Sequence, residues 1–256
     1  MEDILLGEMP VRVVAGGPLP SSARLSLGDL LVISGPYRSA DEHERHVLET
    51  SGAGTWIYNA SDELRFSLDT GELASVWLRI PGSVAPDSAD LGSWLTAGRV
   101  EGQPAVAPGS NFDLPPGSVR WCEGSGSVLV CLTDEGYSGD AAVRSRLRIA
   151  QDLNVLMADG RYVGWCLEHP ARHLSNSWTG HPNSLEDPEL GAWLARYFAL
   201  TDDVVFEAIE DGDGTPLDRL KELRADVHRE EDGRPSRRIL REVLDELIDW
   251  HAPAHG

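Results

Sequence analysis

The sequence is short of lysine: Lys221 is the only one, and the other basic side chains are arginines. Base of any kind is scarce, with 22 Lys and Arg against 42 Asp and Glu and a formal net charge of -20 at pH 7. Such a chain lacks the cationic footprint that a phosphate backbone or an anionic membrane surface requires, so direct nucleic-acid and membrane binding are excluded as general functions. No apolar run approaches the roughly 20 residues of a membrane span. Three cysteines (Cys122, Cys131, Cys166) are too few, and odd in number, for a disulfide framework. They read as small buried apolar residues, with Cys122 and Cys131 facing each other across a hairpin. The stretch from Met1 to Glu8 carries acids where a secretory leader carries bases. These absences predict a cytoplasmic protein.

Catalytic signatures are also missing. There is no Gly-x-Gly-x-x-Gly, no Walker loop and no Gly-x-Ser-x-Gly elbow, which removes the commonest nucleotide-dependent and serine-hydrolase classes. His43 and His46 are three apart, not the four that let two helical histidines share a zinc ion. A calcium-like run from Asp211 has Pro216 where the loop needs its turn-forming glycine. No metal and no cofactor is expected, and nothing in the composition sets an oligomeric state.

What is present is ordinary globular composition, 41% hydrophobic and 25% charged. The first part reads as short strands and turns. Val11–Val14, Leu30–Ile33 and Thr55–Tyr58 are short apolar runs bounded by glycine and proline. Three hairpins are predicted: Leu64–Leu68 with Ala74–Ile80 around Gly71, Val119–Cys122 with Ser127–Leu132, and Leu153–Met157 with Tyr162–Leu167 around Asp159-Gly160. Ser39 and Glu42 form a capping-box pattern for one surface helix near 40–50, with Gly52 as its stop. The Pro/Gly-rich stretch 98–118 reads as a loop, more a mobile connector than a lid.

After Pro182 the pattern becomes helical. Asp187-Pro188 is an N-cap with proline at the first position, Thr201 caps the next segment, and Thr215 opens a third. The last helix has Leu240, Val243, Leu244, Leu247 and Ile248 on one buried face. The expected fold class is therefore α+β: an antiparallel β-hairpin-rich part over 1–182, as a sheet or sandwich, then a bundle of about four helices over 183–256 packed on it.

Two loci carry candidate function. Asp202, Asp203, Glu207, Glu210, Asp211 and Asp213 form a run without a base between Thr201 and Thr215. Concentrated charge of one sign steers association with the opposite sign, so this run predicts a non-catalytic binding or inhibitor-type protein, immunity-like or regulatory, whose partner is a basic protein. The second locus is Glu168, His169, His173 and His181, just after a strand end. Imidazole titrates near neutral pH, so these groups suit general acid/base work in an enzyme, or a small-molecule pocket at the β/α junction.

Overall fold

The computed structural model describes residues 3–53, 61–86, 91–182, 185–229 and 233–251. Strands β1 (Asp3–Leu6), β2 (Met9–Val14), β3 (Arg24–Ser26) and β4 (Leu31–Ser34) lead into helix α1 (Ala40–Leu48). Strands β5 (Thr50–Gly52), β6 (Glu63–Ser67) and β7 (Leu73–Arg79) precede the short helix α2 (Ser93–Thr96). Then come β8 (Gly98–Val100), β9 (Gln103–Ala105), β10 (Val119–Cys122), β11 (Val128–Leu132) and α3 (Asp134–Ser138). Strands β12 (Arg144–Ala150), β13 (Leu153–Ala158) and β14 (Arg161–Glu168) are followed by α4 (Pro170–His173) and β15 (Leu174–Ser175). Four longer helices complete the chain: α5 (Pro188–Leu200), α6 (Asp203–Glu210), α7 (Gly214–Arg229) and α8 (Pro235–His251). The fold is mixed α+β, with the sheets before about residue 175 and the long helices after them.

The three expected hairpins are present as β6–β7, β10–β11 and β13–β14. In the last, Asp159 (φ 49°) and Gly160 (φ 77°) take the two left-handed positions that a tight turn matching the strand twist demands. Among the described residues the strands form two sheets. The nine-stranded one runs β8-β12-β13-β14-β1-β2-β9, with β11 also on β14 and β10 outside it. The six-stranded one runs β15-β3-β4-β7-β6-β5. Strand β14 is the hub: β13 flanks one edge, while β11 takes Gly164–Glu168 on the other edge and β1 joins in parallel at Arg161. Gly164 permits this, since a Cβ there would stand 2.1 Å from the Cys131 carbonyl oxygen at a φ of +144°.

Apolar residues alternate to one side of each sheet, and these sides meet. Leu25, Val32, Leu64 and Phe66 from one sheet join Ile4, Leu147, Val155 and Trp165 from the other in a single buried cluster. The helices extend the same core through Leu194, Phe198, Leu220 and Leu244. A second cluster around Trp94 and Val163 covers the far side of the larger sheet.

Several expectations are corrected. The stretch 98–118 contains β8, parallel to β12, and β9, antiparallel to β2. Three-residue edge strands carry no readable periodicity, and Pro104 is tolerated at an edge because its missing N–H bonds no neighbour. Helix α1 ends at Leu48, and Gly52 belongs to β5. Asp202, not Thr201, caps α6; the Thr201 hydroxyl donates to the Tyr197 carbonyl one turn back and closes α5. Cys131 pairs with Arg120 and Cys122 with Leu129, so the two thiols do not face each other. Val243 and Leu247 are only partly buried. The expected strand at 55–58 lies outside the described residues.

Helix α5 is fixed at its start by charge. Asp187 accepts the Leu190 N–H at 3.1 Å and a bidentate pair from Arg237 at 2.7 and 2.9 Å, all within the protein interior. Burial alone would raise this carboxyl, but those donors outweigh it and hold it below the usual carboxylate range. The Asp187→Ala variant removes the cap and strips Arg237 of its main partner. It should lose about 3–5 kcal/mol in urea unfolding, since it removes a helix cap and a buried ion pair together, although Arg237 retains Glu189 at 2.7 Å. A loss under about 1 kcal/mol would contradict this role.

A buried carboxyl sits between the sheets. Asp62 accepts the Tyr162 hydroxyl at 2.5 Å and the Arg79 N–H at 2.7 Å, and burial pushes it up to about 6. Between the unfolded value near 3.9 and about 6, the folded state holds a proton that the unfolded chain has released, so stability falls as pH rises through that window. Asp62→Asn removes the charge, keeping Oδ1 for the Arg79 N–H and turning its Nδ2 to donate to the Tyr162 hydroxyl. Its stability relative to the native chain should grow by on the order of 2–3 kcal/mol from pH 4 to pH 7 in parallel denaturation series. An unchanged difference would refute the assignment.

Candidate functional site

The base-free acid run of the sequence falls on α6 and the turn into α7. Asp202 is the N-cap, its carboxylate accepting Val204 N–H, and Asp202 also accepts the Val84 N–H at 3.4 Å. Asp203 takes the Ser83 hydroxyl at 3.2 Å. These two acids tie α6 to the segment after β7. Glu207, Glu210, Asp211 and Asp213 point into solvent. Asp213 accepts the Thr215 N–H, which holds its carboxyl below the usual range. Among the described residues none of the six acids is ion-paired. Three acids on α7 and α8 are paired: Asp226 binds Arg196 and Arg229, Asp218 binds Lys221, and Asp245 binds Arg224 and Arg241.

Helix α6 buries none of its own residues completely, although Val204, Val205, Phe206 and Ile209 give it an apolar side. Beside Phe206 lies a groove of about 290 Å³ shared with α8 and the β3–β4 turn. Its walls include Leu27, Leu30, Val243, Leu247 and Trp250. Trp250 is 83% exposed, and Val204 is 68% exposed.

The second predicted locus separates. His169 lies at the end of β14 with φ 53°, a left-handed conformation, and its N–H donates to the Ser127 carbonyl. It lines a cleft of about 310 Å³ with Ser125, Arg172, Glu186 and Pro188. Glu168, His173 and His181 do not line that cleft. Glu168 instead pairs with Arg146 at 3.2 Å. His173 is buried between the Ala23 carbonyl and Asp152, and burial keeps it below the usual histidine value. His181 is exposed in the segment after β15. In the cleft, the Ser125 and Ser127 hydroxyls donate to Glu123, so no serine is activated by His169. Burial pushes the Cys122 and Cys166 thiols up to about 12, which removes thiolate chemistry at neutral pH. Among the described residues no three His, Cys, Asp or Glu side chains are grouped to hold a metal ion.

Sequence reasoning missed one assembly. Beneath α1, on the outer side of the smaller sheet, Tyr37, His43, Trp77 and Trp178 pack with ring centroids 4.7–6.4 Å apart. His46 reaches Ser75 at 2.8 Å, and burial, then the Arg65 and His43 charges, push it down to about 4. Arg24 lies fully buried 5.7 Å from the Tyr37 ring, donating to the Gly35 carbonyl. The four rings contact each other, so they form a plug and leave no cage between them.

No protein-family model matches the chain, and no curated protein matches it either.

The cleft geometry gives a local test. At position 169 a non-glycine residue bears left-handed strain, so His169→Gly should stabilise the fold by about 0.5–1 kcal/mol in thermal or urea unfolding. A clear destabilisation would show that the histidine ring makes a contact that matters.

Proposed function

We propose that this chain is a cytoplasmic, non-catalytic binding protein of the inhibitor or regulatory kind that engages a basic protein partner. In this reading α5–α8 form one helical unit that presents α6. The observation that supports it is a concentration of unpaired charge: among the described residues Glu207, Glu210, Asp211 and Asp213, four acids within seven positions, have no ion pair, whereas Asp218, Asp226 and Asp245 of α7 and α8 each have one. Unpaired carboxylates within about one Debye length of each other (roughly 8 Å at physiological salt) add their fields, and such a surface accelerates encounter with a cationic one.

The quadruple variant E207Q/E210Q/D211N/D213N tests this against a control of equal charge change elsewhere, E44Q/D69N/E101Q/D140N. Immobilised native protein should capture a basic protein from host extract and release it as salt rises. The α6 variant should capture at least about tenfold less, a loss of ~1.4 kcal/mol, while the control retains the partner. Equal capture by both variants, or no salt-sensitive partner, overturns the proposal.

A further inference from the structure

The groove between α6 and α8 has a chemistry that an acidic patch alone does not. Its floor is apolar, from Leu27 and Leu30 through Phe206 to Val243, Leu247 and Trp250. A tryptophan left 83% exposed forgoes a burial worth roughly 2–3 kcal/mol, and here it stands in a wall of the groove beside other half-covered apolar groups. Acids border this floor on two sides. On α6, the exposed Glu207 and Glu210 fall at i and i+3 on the side next to Phe206, whereas Asp203 one turn earlier is held by the Ser83 hydroxyl. On α8, Glu246, itself a lining residue, and Asp249 stand beside the apolar row Val243, Leu247 and Trp250, while Glu242 one turn earlier pairs with Arg238 at 3.5 Å. Asp29 stands in the β3–β4 turn beside the lining residues Gly28 and Leu30. No lysine or arginine is among the described residues lining the groove.

An apolar floor between two negative rims has one complement: a helix with an apolar stripe flanked on both sides by Lys or Arg. A second copy of this chain fits poorly, because it would set acid rims against acid rims on molecules that each carry -20. At about 290 Å³ the groove is at the small end of the ~300–1,000 Å³ range of ligand sites, which suits the anchoring side chains of a helix better than a free small molecule.

We infer that the α6–α8 groove docks a cationic amphipathic helix of the partner, with its apolar anchors against Trp250, Val243 and Phe206 and its basic flanks on the two acid rows. This inference rests on the basic-partner reading and adds to it the conformation and the pattern of the segment that binds.

Two peptides of roughly 14 residues and identical Leu, Arg, Gln and Ala composition serve as probes. One places leucine at i, i+3, i+4 and i+7; the other scrambles the order. Affinities are measured by calorimetry at about 50 mM and about 300 mM salt for the native chain, W250A and V243R. The native chain should bind the patterned peptide at least about tenfold more tightly than the scrambled one, and each substitution should remove most of that difference. W250A changes an exposed side chain, so it leaves the fold intact and keeps the measurement readable even where V243R does not. Equal affinity for both peptides, unchanged in W250A, overturns the helix-docking inference while leaving a charge-driven partner in place. Binding of neither peptide at low salt defeats both readings. Concentration-dependent dimerisation in sedimentation velocity, abolished by W250A, would assign the groove to a second copy and overturn the inference.

Discussion

The guanidinium of Arg120 is the joint on which the helical part hangs. It projects from β10 into the interior, where its Nη2 donates to the carbonyls of Phe198 and Thr201 at 2.9 and 2.6 Å and to the Thr201 hydroxyl at 2.9 Å. Its Nη1 reaches the Pro81 carbonyl beyond β7. Those carbonyls at the end of α5 have no partners within the helix, and a cation is the best group to meet them because the dipole is negative there. Burial lowers the affinity of Arg120 for its proton, and nearby Asp202 and Asp203 work in the opposite direction. With Asp187 and Arg237 at the other end, both termini of α5 are held by arginine. The chain therefore leaves α5 at a fixed point and direction, and α6 is placed with its acids outward.

That arrangement shows how a chain poor in lysine and rich in acid ties its helices to its sheets. Its arginines are used where a planar, always-charged fork with five donors is needed. Arg65 binds the Val47 carbonyl, the Thr50 hydroxyl and the Thr50 carbonyl; Arg146 holds Glu168; Arg120 and Arg237 hold α5. Cations spent on internal structure are not available to offset surface acids. The negative field then concentrates where no arginine pairs with the acids, at Glu207 and Glu210 of α6 and at Glu246 and Asp249 of α8. The composition and the candidate interface are two views of one distribution.

Legibility in the sequence followed the range of the interactions. The β13–β14 hairpin was readable because Asp159-Gly160 and the alternation on either side are local, and Asp187-Pro188 marked the start of α5 for the same reason. The histidine locus was not, since ring direction depends on backbone conformation: the left-handed turn at His169 sends one ring to the cleft, and one turn of α4 sends His173 inward. The plug under α1 joins residues 37, 43, 77 and 178, which no spacing rule connects. Val243 and Leu247 were read as core because helical spacing fixes which side of α8 they occupy. How deeply they are covered depends on α6, which lies only partly over them.

The pairing of β1 with β14 sets the order of events during synthesis. Leu5 bonds the Gly160 carbonyl and lies opposite Arg161, so β1 gains its second neighbour only after the long intervening stretch up to β14 has been made. Until β9 joins β2 and β14 joins β1, β1 and β2 are a ribbon of marginal stability on its own. Contacts this distant in sequence slow folding, and each ribosome carries an exposed apolar edge for the whole of that interval. The high negative charge keeps such nascent chains apart, which gives the acidity a second use before the helices exist at all.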